Sequence, residues 1–424
     1  MSLISIISFT VFFGILLSSF RKGAELLSPA KVFALIWTLA IGLAELKLSR
    51  LQSEWDIFSW FMLLIGVLFF LLGNYIAYVI NSHQKFIDLH NVRSSIRSIK
   101  VNEKLLYSLI LVFFIIFSVS FLTEYLIEGY LPIFTAQPDK ARKMFGVFGI
   151  HLLVNGVNII LFLIAEYFIL IKGKTSKKIL LSVVFLISLS SFFLLLQRYN
   201  IFLLGVMIFG FLYYSGKHIR FRTFLIAFLI MAGLVVLIRT VRIAQFAEYY
   251  FYATSKMKFP IKYAFLSEPY MYIVMNLENF VENFDKIQFH TYGLFTADFI
   301  TALAGIKHWV ADYLNVDKFE YFISGYNTFP YFWAYYFDYG MMGLAAIPLI
   351  LGFSISEIYY RLHRMPNLVN LTLYSIGFVI IVISFSSDPL TRLDMVFNFV
   401  VIAIVQYFIS FSNSIPQYSG SKNE

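Results

Sequence analysis

The chain has no cysteine. That removes thiol nucleophiles, iron–sulfur clusters and thiolate zinc sites, and it leaves no disulfide to hold a long loop. Charge is scarce too: Asp, Glu, Lys and Arg together make up 13% of the 424 residues, where soluble domains average about a quarter. No HExxH, no Asp-x-Asp pair and no P-loop occurs, so metal-dependent and nucleotide-dependent chemistry have no support and no cofactor is expected. Nor is there an internal repeat or a matched pair of Gly/Pro-broken spans, which speaks against a secondary transporter.

What is present is apolar surface. The residues are 60% hydrophobic and 19% aromatic, with a mean hydropathy of +0.78, the profile of an all-α polytopic integral membrane protein. Apolar runs of span length fall near 2–20, 30–45, 57–80, 105–127, 150–171, 179–196, 201–215, 223–238, 337–358, 368–385 and 395–411, which predicts about eleven transmembrane helices. The first run lacks a basic leader and a small-residue cleavage site, so it reads as a retained span. Residues 1–238 then form a bundle of about eight spans, 239–330 a long extracytoplasmic loop, and 331–424 about three spans with a short tail.

Basic residues set the orientation. The net charge of +9 is read as a topology signal before any other use, and no nucleic-acid partner is inferred. The loop 81–104 carries Lys85, Arg93, Arg97, Lys100 and Lys104. Placing it in the cytoplasm puts the amino terminus and 239–330 outside and the carboxy terminus inside. Both flanks of the pair around Gln197–Asn200 are basic, which demands an even number of crossings between them. Within 239–330, the stretch Phe265 to Phe284 is amphipathic and is expected to lie on the bilayer or cap the bundle. Glu166 and Glu357 are exceptions to nearly charge-free spans, and both fall near cytoplasmic ends.

A polytopic protein that gathers polar side chains in one loop is expected to keep its site there. Arg239 and Arg242, three apart, share a helix face where two guanidinium forks suit a pyrophosphate, or else reach lipid headgroups. Arg198, the one basic residue of a short outer turn, is a lipid-phosphate ligand or a boundary residue. Arg142 follows a turn built on Gly129 and Pro132. Asp338 enters a span among aromatics, so it needs a partner; it is a base or it holds an arginine in place. Gly340 and Gly343 beside it are expected to admit a neighbouring helix. Of the histidines, His151, His290 and His308 fall outside, and His290, inside the long loop, is the preferred candidate base with Asp338.

Leu131-Pro-Ile-Phe134 with Arg142, the turn residue Arg198, the pair Arg239/Arg242, Glu268-Pro-Tyr-Met-Tyr with Asn276, and Asn327-Thr328 with Asp338-Tyr-Gly-Met-Met-Gly343 together resemble the oligosaccharide repeat-unit polymerases, the Wzy-type enzymes of O-antigen and capsule synthesis. The chain departs from many relatives at Tyr130, where they carry a second glycine, and at Tyr199, where they carry a small residue. The resemblance implies a GT-C-like bundle in a bacterial plasma membrane. It implies block transfer of glycan on the outer face, from a growing chain on undecaprenyl pyrophosphate to one repeat unit on the same lipid, without metal. It assigns catalytic roles to Arg239, Arg242, Arg198, Arg142, Asp338 and His290, and substrate contacts to Tyr270, Tyr272, Asn276, Asn327 and Thr328. A chain-length regulator, a flippase and membrane lipids are the implied partners. A ligase-type glycan transferase and a lipid-linked oligosaccharide flippase are the alternatives.

Overall fold

The computed structural model describes residues 2–19, 24–216, 233, 247–284, 286–287, 289–307, 309–310 and 322–411. The span expected at 223–238, the pair Arg239/Arg242 and His308 lie outside the described residues. Among the described residues the protein is helical throughout, with one isolated bridge between Ser49 and Met257.

The helices are α1 (Leu3–Ser19), α2 (Pro29–Ala44), α3 (Ile57–Asn81), α4 (Leu89–Ser98), α5 (Glu103–Glu128), α6 (Pro138–Met144), α7 (Ile150–Asn155), α8 (Val157–Leu170), α9 (Thr175–Leu194) and α10 (Arg198–Ser215). They continue as α11 (Ala247–Thr254), α12 (Ser267–Val281), α13 (Asp298–Leu303), α14 (Phe332–Arg364), α15 (Leu368–Ile383) and α16 (Leu393–Phe411). Six stretches are long and apolar enough to cross a membrane: Ile57–Asn81, Glu103–Phe134, Ile150–Leu170, Thr175–Leu194, Phe332–Arg364 and Leu393–Ser410. Three shorter apolar helices, α1, α2 and α15, accompany them. Local chemistry sets the ends. Asp56 caps α3 by accepting from the Ser59 amide at 2.8 Å, and these bonds to Ser59 hold its carboxyl below the usual range. Asn102 caps α5 through the Leu105 amide at 3.1 Å, and α5 stops on Gly129 in the left-handed conformation, φ +76°.

The chain divides into two compact units, each discontinuous in sequence. One comprises Met1–Lys85, Ile243–Tyr360 and Gly377–Val396; the other comprises Phe86–Arg242, Arg361–Ile376 and Phe397–Glu424. In the first, α3 and α14 meet at two glycines. A Cβ on Gly73 would sit 2.1 Å from the Leu349 carbonyl oxygen, and one on Gly352 would sit 2.1 Å from that of Phe70. The backbones touch there because neither residue has a side chain. Ser356 then donates to Asn74 Oδ1 at 2.5 Å one turn on. Gly340 plays another part than the helix approach expected of it. Its φ of +59° and ψ of −146° break α14 into a short entry turn and a long helix.

The described part of the long polar segment contains α11, a 3-10 helix at Ile261–Leu266, α12 and α13. Every residue of α12 from Val274 to Val281 is buried, and the helix packs against α2. The second half of the amphipathic stretch is thus buried within its unit, while Phe265, Leu266 and Tyr272 near its start are exposed. In the second unit, Arg93 and Arg97 of the basic loop cap a helix. Arg93 Nε donates to the Tyr213 carbonyl at 2.7 Å and Arg97 Nη2 to that of Gly216 at 2.6 Å, at the carboxyl end of α10.

The glycine crossing predicts its own test. Gly352→Leu or Gly73→Leu forces two backbones apart and costs at least about 1–3 kcal/mol. Either should lower the melting temperature in detergent and the yield of monodisperse protein. Gly14→Ala, whose added Cβ meets nothing within 4 Å, should leave both unchanged.

Candidate functional site

In the unit containing α5 to α10, the segment between α5 and α8 folds over a buried carboxylate. Glu124, one turn from the end of α5, is fully buried. Its Oε1 accepts from the Val147 amide at 2.9 Å and lies 2.9 Å from His151 Nδ1, with Oε2 at 3.2 Å from the same nitrogen. Glu128 Oε1 accepts from the Gly146 amide at 3.3 Å. The imidazole sits where a side chain on Gly146 would be, since a Cβ there would lie 3.1 Å from the ring. Gly146 and Gly149 have φ of +140° and +78°, so glycine is what lets the chain turn into α7 over the ring. Phe145 closes one side edge-on, centroids 6.3 Å apart.

This arrangement is tied to the arginines. Arg142, half-buried on α6, donates from Nη1 to the Leu196 carbonyl at 3.4 Å, two residues before Arg198. Leu196 holds φ +55°, a conformation costing about 1–3 kcal/mol in a non-glycine residue. The turn is kept by its neighbours: the Gln197 amide donates to the Phe192 carbonyl at 2.8 Å. The Gln197 side chain donates to Asn155 Oδ1 at 3.0 Å and accepts from Asn200 at 2.9 Å. Asn155 is four residues after His151, on the same side of α7. Asn398 and Asn158 both donate to the Asn155 carbonyl, at 3.2 and 3.3 Å. Arg142 is thus bonded to the turn that leads into Arg198, and that turn is bonded to Asn155 on α7, the helix that carries His151. Glu124 and this pairing were missed in the sequence, where nothing in the spacing of residues 124 and 151 signals it.

In the other unit, His290 and Asp338 come together without bonding to each other. Asp338 is fully buried. Its carboxylate accepts from Thr291 Oγ1 at 2.5 Å, from the Thr296 amide at 2.6 Å and from the Phe295 amide at 3.2 Å, while its carbonyl accepts from Tyr292 N at 3.0 Å. Among the described residues Asp338 therefore holds the turn 291–296, and both its oxygens accept hydrogen bonds there. His290 Nδ1 bonds to the Phe337 carbonyl at 3.1 Å, and its Nε2 lies 2.7 Å from where a Cβ on Gly340 would be. The break at Gly340 makes room for this ring.

The expected substrate contacts separate by burial. Tyr270 is buried; its hydroxyl is 2.8 Å from Gln52 Oε1, 3.1 Å from the Leu43 carbonyl and 3.0 Å from the Leu48 amide, and burial pushes its pKa up to about 12. Asn276 is fully buried and donates to the Tyr272 carbonyl at 2.6 Å. Both hold the structure. Tyr272 and Asn327 are exposed and Thr328 is half-buried. What positions the last two is a residue missed in the sequence, Asn279. It donates to the carbonyls of Tyr326 and Thr328 at 3.1 and 2.8 Å and accepts from the Ile323 amide at 2.8 Å. Next to it, buried Glu278 accepts from Lys47 at 3.2 Å and from Ser53 Oγ at 3.0 Å, with Lys47 4.4 Å over the Trp55 ring. Among the described residues no group of three His, Asp or Glu stands together as a metal site would need.

Asp388, between α15 and α16, is a further buried carboxylate. Oδ1 accepts from the Leu390 amide at 2.9 Å, and burial pushes the acid up to about 6 against the opposing effect of the Tyr335 hydroxyl. Below the ordinary carboxylate pKa of about 4 the group is protonated folded or unfolded. Between there and about 6 the folded state alone holds the proton, so stability contributed by this group is lost as pH rises through about 6. Asp388→Asn should flatten the melting temperature over that window and raise stability near pH 8 by up to about 3 kcal/mol. An unchanged profile would mean the carboxylate is solvated.

Comparison of the chain with protein-family models, with curated proteins and with solved structures gives no match in any of the three.

Proposed function

We propose that the protein joins undecaprenyl-pyrophosphate-linked oligosaccharide repeat units into a polysaccharide by glycosyl transfer on the outer face of a bacterial plasma membrane. In this reading about eleven helices span the bilayer in a GT-C-like bundle. The amino terminus is outside, the carboxy terminus is cytoplasmic, and the segments 129–149, 195–198 and 239–330 face outward. The observation that carries the proposal is the bond from Arg142 to the turn that begins α10 at Arg198. It brings two guanidinium-bearing segments, far apart in sequence, onto one framework.

The chemistry asks for such a pairing. The donor brings its own leaving group, so no nucleotide is consumed. As the bond from the anomeric carbon to pyrophosphate breaks, negative charge grows on the phosphate oxygens. Fixed guanidiniums stabilise that charge without reorganising. Arg239 and Arg242, placed by sequence on one helix face, supply two more. Tyr272, Asn327 and Thr328 offer exposed or half-exposed polar and aromatic surface suited to sugar.

The test is reconstitution. Full-length protein in liposomes, given the lipid-linked repeat unit isolated from the cells that make it, should build a ladder of products and continue to do so in EDTA. Arg142→Ala, Arg198→Ala, Arg239→Ala and Arg242→Ala should each lower chain growth at least tenfold, from loss of a charge-assisted bond of about 1.5–3 kcal/mol. Arg→Lys should recover part, because a point charge cannot replace a planar fork. Transfer of finished glycan to a different lipid acceptor would identify a ligase instead. Movement of the intact lipid-linked unit across the bilayer, with no new bond, would identify a flippase.

A further inference from the structure

The glycosyl-transfer reading leaves open which group accepts the proton of the attacking hydroxyl. Asp338 has both oxygens engaged by Thr291 and the Phe295 and Thr296 amides. His290, exposed, turns Nδ1 to the neutral Phe337 carbonyl, whereas His151 turns it to a carboxylate.

We infer that His151 is the general base of the reaction and that Glu124 is its positioning residue. The carboxylate is an acceptor only, so the nitrogen 2.9 Å from it, His151 Nδ1, carries the hydrogen. In the neutral ring the lone pair is then on Nε2, which among the described residues has no hydrogen-bond partner. The carboxylate is fully buried while the imidazole side chain is 31% exposed, so the dyad is held from inside and presents its basic nitrogen outward. A buried carboxylate behind an imidazole fixes the tautomer and stabilises the imidazolium that forms. The Val147 amide, which also bonds Glu124, fixes the carboxylate.

The surroundings suit the role. The same framework carries Arg142 and Arg198 through Leu196, Gln197 and Asn155. The step balances without further reagents. His151 Nε2 takes the proton of the acceptor-sugar hydroxyl as its oxygen bonds the anomeric carbon. The bond from that carbon to pyrophosphate breaks, and the electron pair leaves on undecaprenyl pyrophosphate beside the arginines. The imidazolium then returns its proton to water. This rests on the proposed polymerase activity, and the experiment separates the two.

The assay uses the full chain in liposomes with the undecaprenyl-pyrophosphate-linked repeat unit and follows product length against time. His151→Asn keeps a donor toward Glu124 and removes Nε2; His151→Gln is the second variant in case the first does not fold. Both should slow chain growth by about 10²–10⁴-fold with melting temperatures near wild type. Imidazole in the buffer should restore part of the rate to His151→Gly. Removing the carboxylate, Glu124→Gln, should lower kcat by about 10–100-fold with KM for the lipid-linked unit unchanged, whereas Glu124→Asp should keep most of the wild-type rate. A structural pin alone would change yield and leave kcat per folded protein in place. If wild-type protein makes no ladder, the polymerase reading falls and the base assignment with it. If wild type polymerises and the folded His151 variants do so at the same rate, or folded Glu124→Gln keeps the wild-type kcat, the dyad inference alone is overturned.

Discussion

The structure depends on buried carboxylates that bind donors from other parts of the chain. A chain with so few charges, folded from apolar helices, has little water inside to satisfy a polar side chain. Each buried acid must therefore find its donors in the protein or cost several kcal/mol. Glu124 takes an amide and an imidazole. Glu278 takes Lys47 and Ser53. Asp338 takes a hydroxyl and two amides. In each case at least one donor comes from a segment between helices, Val147, Ser53 or Thr296, so the acid near a helix end fixes the path of an irregular stretch of chain. A hydrogen bond to a charged group contributes about 1.5–3 kcal/mol, enough to order segments that propensity alone would leave loose.

That constraint supplies what catalysis without a bound metal would require. Groups that stabilise a leaving pyrophosphate or accept a proton must already be in place when charge develops. In the unit built around α5, α8 and α10, one framework of amides and carbonyls runs from Glu124 through α7 to the strained turn at Leu196. The strain persists because Gln197, Phe192 and Arg142 over-determine the backbone there. In the other unit, Asn279 and Asp338 do the same for residues 323–328 and 291–296. This is architecture that serves positioning.

Helix positions were legible in the sequence because a span leaves a long apolar run, and helices stand at the expected places among the described residues. Arg93 and Arg97, read in the sequence as an orientation signal, cap α10. Burial of the second half of α12 was not legible: polar Glu278 and Asn279 sit in it, and their partners, Lys47, Ser53 and the chain at 323–328, are distant in sequence. Tyr270, read as a sugar contact, is a clamp between α12 and the loop after α2 for the same reason. Asp338 stood out in the sequence as a carboxylate needing a partner, and among the described residues the turn 291–296 is one. The Glu124–His151 pair is a contact across 27 residues, and no spacing rule on a single chain reports such a contact.

The most direct test of the account is the structure of the protein with undecaprenyl pyrophosphate bound, determined by cryo-electron microscopy in a lipid nanodisc. The account predicts phosphate oxygens within about 4 Å of the guanidiniums of Arg142 and Arg198, with His151 Nε2 open to the space beside them. Pyrophosphate density held by other residues, with both of these arginines out of contact, would contradict it.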